Sequence, residues 1–357
     1  MFEKMILHLI AYEKFTEDYI IRINRVFEEN QHLFVVFGEK PESNIRNVNA
    51  NNVIYSIDFA NKIQCAIFLI KKILKADKLI IHALFLSDMY LRLLLFLQPV
   101  AGNKYFWNIW GYDLYNAYWN RDKFVVREKL RIRFIKKIKA VGYIPDDYLF
   151  LKNNYETAAK FYLASYSYDF YYPEIDAPSE TKNTINILLG NSATEECQYE
   201  EIIDKLTQFS DKEILVKCVL SYPKENDEYR NKIVRYGKDK LGDKFIPLID
   251  FMPYEKYTEL LSEIDVAIFN HNRQQALGNI ASLLYLGKKV YVNPANGCKD
   301  YFEKMGAKIF STESLSEADI CKCNSKKLQA INRKVIDKFF SDQQFKERWR
   351  RIFEEDY

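Results

Sequence analysis

The chain has 357 residues, 48% of them hydrophobic, with 25 Phe and 26 Tyr; that is enough apolar surface for two ordinary domains or one large one, and it excludes disorder over most of the length. Its 52 Lys+Arg nearly cancel its 49 Asp+Glu, so attraction to any anionic partner must come from local clustering. Only 11 Gly and 9 Pro argue against collagen-like, linker-rich and many-turned all-β architectures, and the Cys at 65, 197, 218, 298, 321 and 323 are too irregular for a disulfide framework.

The first apolar run opens a strand at once, without the long apolar segment or cleavage site of a secretory signal, which points to the cytoplasm. Strand-like runs then alternate with helical patterns. Strands are expected near 4–10, 33–37, 53–57, 79–84, 105–110, 140–144 and 161–164, with helices such as 61–75, 87–97 and 121–138 between them, the signature of βαβ units. The most membrane-like stretch, 79–102, carries Asp88 and Arg92 in its middle, where a spanning helix would find them expensive. It reads instead as a strand followed by a helix.

Residues 166–183 hold two prolines and no regular period, so they read as a linker. A second alternating series follows, with strands near 185–190, 213–219, 245–249, 265–269, 290–293 and 308–310 and helices at 195–209, 226–240, 254–263 and 274–286. The predicted division is a Rossmann-like domain over 1–165, the linker, a second Rossmann-like domain over 184–324, and a helical stretch, 325–357, that crosses back toward the first domain. The fold class is α/β, two doubly wound domains facing a central cleft in which a ligand would bind.

Three segments carry chemistry. In the first, a buried strand runs into Gly190, Asn191, Ser192, Ala193, Thr194 and Glu195. Ser192 and Glu195 have capping-box spacing; the segment is either a plainly capped helix or a phosphate site made of backbone amides, with Gly190 allowing close approach. The second places six polar residues, Asn270 to Gln275, between an apolar strand and an apolar helix. Arg273 offers a fork for phosphate, and Gln274, Gln275 and Asn279 suit sugar hydroxyls or diphosphate oxygens; the bland alternative is a polar loop with a solvated arginine. In the third, Asp113 follows a strand rich in aromatics and Gly111. It is either a general base facing the cleft or the cap of the next helix. His82 is the second candidate base, His8 reads as core and His32 as surface.

Residues 121–139 contain nine basic and two acidic side chains, a local charge of +7. Interleaved with Phe124, Val125, Ile132, Phe134, Ile135 and Ile138, they suit an anionic membrane surface, with Arg127, Arg131, Lys136 and Lys137 facing it; the alternative is an ordinary helix with a solvated basic face. No nucleic-acid module accompanies the charge, so no nucleic-acid partner is expected. The chain has no G-x-G-x-x-G after its first strand, no P-loop and no D-x-D, which argues against dinucleotide redox chemistry, P-loop hydrolysis and a metal-bridged diphosphate. Cys321-Lys322-Cys323 lacks a second ligand pair for zinc. No cofactor and no metal are expected.

Residues 106–115 (with Trp107, Trp110, Gly111 and Asp113), 187–192, 222–229 (from Tyr222), 257–265 and 273–278 (Arg273, Gln274, Gln275, Gly278) resemble glycosyltransferase family fifty-six, in their order and approximate spacing. The described activity of that family is transfer of N-acetylfucosamine from a TDP donor to lipid II in enterobacterial common antigen synthesis. The resemblance implies a GT-B fold that holds a nucleoside diphosphate sugar mostly by its second domain. It also implies an undecaprenyl-pyrophosphate-linked saccharide as acceptor, at the inner face of the cytoplasmic membrane. The family's His-Gly after the fourth strand is His82-Ala83 here. A GT-B-like sugar-nucleotide epimerase or hydrolase would use the same nucleotide features but leave the basic segment unused, and a non-catalytic nucleotide-sugar-binding protein, which fits a cleft as well, would normally carry an export signal if it captured external sugars.

Overall fold

The computed structural model describes residues 4–13, 16–38, 50–164, 166, 184–209, 213–223, 226–320 and 324–357. Of the predicted linker, 166–183, only Tyr166 falls among them, and Cys321 and Cys323 lie outside. The chain divides into two compact units: Met1–Tyr168 with Phe340–Tyr357, and Asp169–Phe339.

The first unit is built on seven strands, β1 (Ile6–Ala11), β2 (His32–Phe37), β3 (Val53–Tyr55), β4 (Lys78–His82), β5 (Tyr105–Asn108), β6 (Ala140–Tyr143) and β7 (Lys160–Leu163). They are all parallel, in the order β3-β2-β1-β4-β5-β6-β7. A parallel sheet is covered on both faces, so its central strands are apolar runs without alternation. Among the described residues of 1–168 the helices are α1 (Thr16–Val26), α2 (Lys62–Lys75), α3 (Asp88–Ala101), α4 (Tyr112–Trp119), α5 (Val126–Ile135) and α6 (Pro145–Tyr155). Residues of α2 to α6 pack on the face bearing Leu7, Leu9, Leu79, Ile81 and Trp107.

Among the described residues the second unit has six parallel strands, β8 (Ile185–Leu189), β9 (Ile214–Val219), β10 (Phe245–Leu248), β11 (Val266–Phe269), β12 (Lys289–Val292) and β13 (Phe310–Ser311). Their order is β10-β9-β8-β11-β12-β13. Helices α7 (Tyr199–Thr207), α8 (Asp227–Leu241), α9 (Tyr254–Glu263), α10 (Leu277–Tyr285), α11 (Cys298–Lys304) and α12 (Glu317–Ile320) connect and follow them. After β13 the chain runs through α13 (Lys326–Phe340) and ends in α14 (Asp342–Glu354).

Helix α14 completes the first unit. Ser341 caps it by accepting from the Gln344 amide, and its apolar residues recur as Phe345, Trp349, Ile352 and Phe353, one stripe of a helix. That stripe covers the second face of the first sheet with Ile6, Ile10, Phe34, Ile80 and Phe106. Arg22 and Arg25 of α1 both reach Asp342 Oδ1 at 2.9 Å, which fixes where the helix begins.

Two local expectations change. The predicted helix 121–138 starts only at Val126, because residues 120–125 fold into turns held by backbone bonds such as Lys123 N–H to Asn120 O. The Ser192/Glu195 capping box does not form: Glu195–Cys197 is a short 3₁₀ turn and the α-helix begins at Tyr199, after Gln198 in a left-handed conformation.

Candidate active site

In a doubly wound sheet the crevice lies at the carboxyl ends of the strands, beside the switch in strand order. In the second sheet that switch falls between β8 and β11. The two polar segments singled out in the sequence are the loops leaving those strands, and the structure brings them together. The Gly190 amide donates to Ile268 O at 2.9 Å and the Asn272 amide to Glu196 O at 2.9 Å. Gln275 Nε2 lies 3.5 Å from Cys197 Sγ, and the same thiol sits 3.3 Å from Ser192 Oγ. Asn293, just after β12, reaches Gln198, while Asn270 bonds Glu201 and Thr312 at 2.9 Å each.

Gly190 has φ +66, and a Cβ there would fall 2.3 Å from the Tyr199 hydroxyl. The glycine is therefore required by Tyr199, whose OH donates within reach of Ser192 O and Val219 O, both at 2.7 Å. The amides of Gly190, Ala193 and Thr194 are spent on backbone carbonyls, so of the amide cradle expected over 190–193, Asn191 and Ser192 remain. Tyr222 is exposed beyond β9 and its carbonyl receives the Ala193 amide.

Arg273 is largely buried; its Nε faces Glu196 Oε1 at 3.5 Å and its NH1 approaches Gln274 O at 3.4 Å. Gln274 is buried beside it in sequence. Gly278 and Asn279 lie in the first turn of α10, which starts from Ala276 in a left-handed conformation without a side-chain cap. His271, which the sequence reading passed over, is fully buried with both ring nitrogens unbonded. Burial first, and then the charge of Arg273, push its imidazole down to about 3. Its carbonyl is held by Asn296 Nδ2 at 2.7 Å.

The catalytic candidates of the first unit lie elsewhere than expected. Asp113 is not at an open strand end; it is fully buried in the first turn of α4. Its Oδ2 accepts from the Leu84 amide at 2.9 Å and from Trp107 Nε1 at 2.8 Å, and its Oδ1 from the Trp110 amide at 3.1 Å. Nor is it the helix cap, a position held by Gly111 at φ +88. Burial raises its carboxyl above the usual range, against the pull of those three donors and of Arg131.

His82 is buried too, and both its nitrogens are engaged: Nδ1 with Tyr166 OH at 2.7 Å, Nε2 with His8 Nδ1 at 3.2 Å. His8 Nε2 continues to His32 Nδ1 at 3.0 Å, so His32, expected at the surface, is a third buried member of one chain. The residue after His82, Ala83, has φ +61, a conformation that glycine adopts freely and alanine at a cost of about 1–2 kcal/mol. The Ala83 amide is fixed by Asn108 O at 3.0 Å.

The basic segment is also rearranged. Arg131 is buried, donating to Leu84 O and paired with Glu128, each at 2.7 Å; it faces the core and not a surface. Arg127 pairs with Asp88 and Lys136 with Glu156 at the surface, and Lys137 is exposed. Phe134, Ile135 and Ile138 belong to the core, whereas Phe124 is 86% exposed and Trp119 45%.

Two Rossmann-like parallel sheets, with polar loops gathered at the switch point of the second, are the architecture of the GT-B fold. The fold recurs in Anabaena HepE in complex with UDP and glucose, with a TM-score of 0.67 at 10% identity over 96% of this chain and 98% of that one. A glycosyltransferase from Rickettsia africae gives 0.68 at 14% over 99% and 98%, and a trehalose-6-phosphate protein of E. coli bound with UDP-2-fluoro glucose gives 0.63 at 11% over 99% and 100%. The chain itself belongs to the 4-alpha-L-fucosyltransferase family, glycosyl transferase group 56, whose model matches residues 13–356. It is thus an enzyme that transfers a sugar from a nucleotide-sugar donor. Among the described residues no group of three or more His, Cys, Asp and Glu is placed to hold a metal ion, and no helix is long and apolar enough to cross a membrane.

Proposed function

We propose that the enzyme moves a 6-deoxy amino sugar from a dTDP-linked donor to an undecaprenyl-pyrophosphate-linked saccharide, in bacterial surface polysaccharide synthesis at the inner face of the cytoplasmic membrane. The observation that carries the donor half is the meeting of the 190–198 and 270–279 loops at the switch point around Arg273. Its guanidinium, with Asn191, Ser192 and the first-turn amides of α10, suits an anion. Gln274, Gln275 and Asn279 supply the neutral donors and acceptors a sugar needs, and the exposed ring of Tyr222 a surface for a base. That HepE and the E. coli protein are described with UDP, or a UDP-sugar analogue, and glucose supports a donor of this class. In the transfer the acceptor hydroxyl oxygen bonds to the anomeric carbon and releases its proton to water, while the anomeric carbon–oxygen bond to the donor breaks and leaves its electron pair on the β-phosphate, which Arg273 would stabilise. Asp113 and His82 act as positioning residues: their polar atoms hold loops and strands and are closed to a substrate.

The test is a panel of sugar nucleotides offered with and without a lipid-pyrophosphate saccharide, followed for transfer and for hydrolysis. Replacing Arg273 by Ala should weaken nucleoside diphosphate binding by about 10- to 150-fold, the 1.5–3 kcal/mol scale of a hydrogen bond to a charged group. Arg273→Lys should also be impaired, since an ammonium does not reproduce the fork. Calorimetric titration with dTDP and UDP reads both, and unchanged affinity would rule out this site.

The membrane half rests on the turn between α4 and α5. Trp119, Phe124 and Val125 are exposed there beside Arg121, Lys123 and Lys129, and Lys129 Nζ stands 4.4 Å over the Phe124 ring. An aromatic tip with cations at its base fits the boundary of an anionic bilayer better than the α5 face does. Phe124→Ser with Lys123→Gln and Lys129→Gln should release the protein from vesicles containing phosphatidylglycerol, and salt should do the same to the native chain. Undiminished sedimentation with such vesicles would remove the tip from the contact.

A further inference from the structure

The donor loops carry the wrong charge for their proposed ligand. Residues 190–198, 270–279 and 293–298 contain one basic side chain, Arg273, and two acidic ones, Glu195 and Glu196, so one positive and two negative charges leave −1. The next cation along the chain, Lys299, is paired with Glu303 at 2.8 Å. Glu196 is the residue that faces Arg273: its Oε1 is 3.5 Å from the guanidinium Nε, and the two side chains are only 21% and 14% exposed. The pair is registered by the main chain as well, through the bond from the Asn272 amide to Glu196 O. His271, whose imidazole burial and the charge of Arg273 push down to about 3, adds no positive charge.

A diphosphate arriving at Arg273 would lie within a few ångströms of the Glu196 carboxylate in a half-buried setting, where like charges disfavour each other strongly. Either the carboxylate yields its place or the ligand is repelled. The two phosphate species of the reaction differ in this respect. In a sugar nucleotide the β-phosphate is a diester with one negative charge. Once the bond between the sugar and that phosphate has broken, the same phosphate is terminal and carries close to two at neutral pH, as a terminal phosphate with a second pKa near 6 does.

We propose that Glu196 is a displaceable counter-ion for Arg273, holding the arginine in its donor-binding position while the loop is empty and, by repulsion, favouring release of the nucleoside diphosphate product over the intact donor. This rests on the donor-site reading given above. It makes Glu196 a determinant of product release, and it explains why a carboxylate is kept in a loop that receives an anion.

Glu196→Gln keeps the shape and the backbone bond and removes the charge. In calorimetric titrations at pH 7.5, this variant should bind dTDP and UDP about tenfold more tightly than the native chain, and dTDP-glucose by a clearly smaller factor. Glu196→Asp, which retains the charge, should stay close to native, so a change in folding is separated from a change in charge. Unchanged or weaker dTDP and UDP binding by Glu196→Gln, or equal tightening of dTDP and dTDP-glucose, overturns the proposal. Should Arg273→Ala leave nucleotide binding intact, the donor-site reading itself has failed; should it weaken binding while Glu196→Gln does not tighten it, only the counter-ion role has.

Discussion

Asp113→Asn is expected to cost the first unit about 2–4 kcal/mol of stability, through a buried carboxylate that three N–H groups have been built around. Two of those donors, Leu84 N–H and Trp107 Nε1–H, converge on Oδ2 and the third, Trp110 N–H, on Oδ1. Asparagine can turn its oxygen to only one side, so at least one donor meets an NH2 group instead, and the remaining bonds lose their charge assistance. Because the three donors belong to the segment after β4, to β5 and to the turn before α4, the loss is felt where three elements join. The melting temperature should fall by about 5–15 °C, at roughly 2–4 °C per kcal/mol for a unit of this size.

The four tryptophans, at 107, 110, 119 and 349, all lie in the first unit, so their fluorescence follows its unfolding. A general base would behave in the opposite way. It would leave the melting curve native and lower turnover by about two to four orders of magnitude. An unaltered melt with such a loss of transfer would restore Asp113 to the chemistry.

The architecture was legible because parallel strands are apolar throughout and are separated by helices, a contrast that survives without any tertiary information. The thirteen strands among the described residues lie where the pattern puts them, within a few residues. Helix starts were harder. Ser192 and Glu195 have the spacing of a capping box, but Tyr199 fills the space over Gly190 and binds Ser192 O, so the turn is organised by a side chain seven residues on. The helix predicted over 121–138 was extended by its uniform basic composition, which does not distinguish the exposed turn at 120–125 from α5.

Site residues divide along the same line. Arg273 and its neighbours could be found because six polar residues between two apolar elements exceed what a βα turn needs. Burial of Asp113, His82 and Arg131 could not be read from one sequence: Trp107, Trp110 and Glu128 are near in sequence, but the remaining partners, the Leu84 backbone for Asp113 and Arg131 and the His8 and Tyr166 side chains for His82, are 29 to 84 residues away. A carboxylate or imidazole at a strand end looks the same in sequence whether it faces solvent or a neighbouring strand. Glu196 and His271 were missed for a different reason: each draws its significance from one neighbour, Arg273, with which Glu196 has no local sequence relation.

Acid should unfold the first unit before the second, and its four-residue polar chain is the cause. All four histidines of the protein are buried. In the first unit, burial carries His82 down to about 3 and His32 to about 4, and His8, flanked by both, well below its ordinary value. A histidine whose folded pKa lies below the unfolded 6.5 binds its proton mainly in the unfolded chain. Its stabilising effect is therefore complete above pH 6.5 and is withdrawn as pH falls from there toward the folded value, at about 1.4 kcal/mol per pH unit. Between pH 6.5 and 4.5 the three together withdraw on the order of 5–8 kcal/mol, against roughly 3 from His271 in the second unit. The raised carboxyl of Asp113 works in the other direction, as one group against three. A loss of that size is comparable with the whole stability of an ordinary domain. The chain adds a geometric limit: each His–His contact holds one proton between two nitrogens, so a single extra proton is accommodated only if His82 Nδ1 donates to the Tyr166 oxygen, and a second would set two N–H groups against each other. Tryptophan fluorescence in denaturant, repeated from pH 7.5 to 4.5, should show the first-unit midpoint falling steeply below pH 6.5. His32→Gln should flatten that slope by about one proton, because it removes one titrating group while keeping a neutral partner for His8. A first unit equally stable at pH 7 and pH 5 would mean that these imidazoles already carry protons, or stand open to water, in the folded chain.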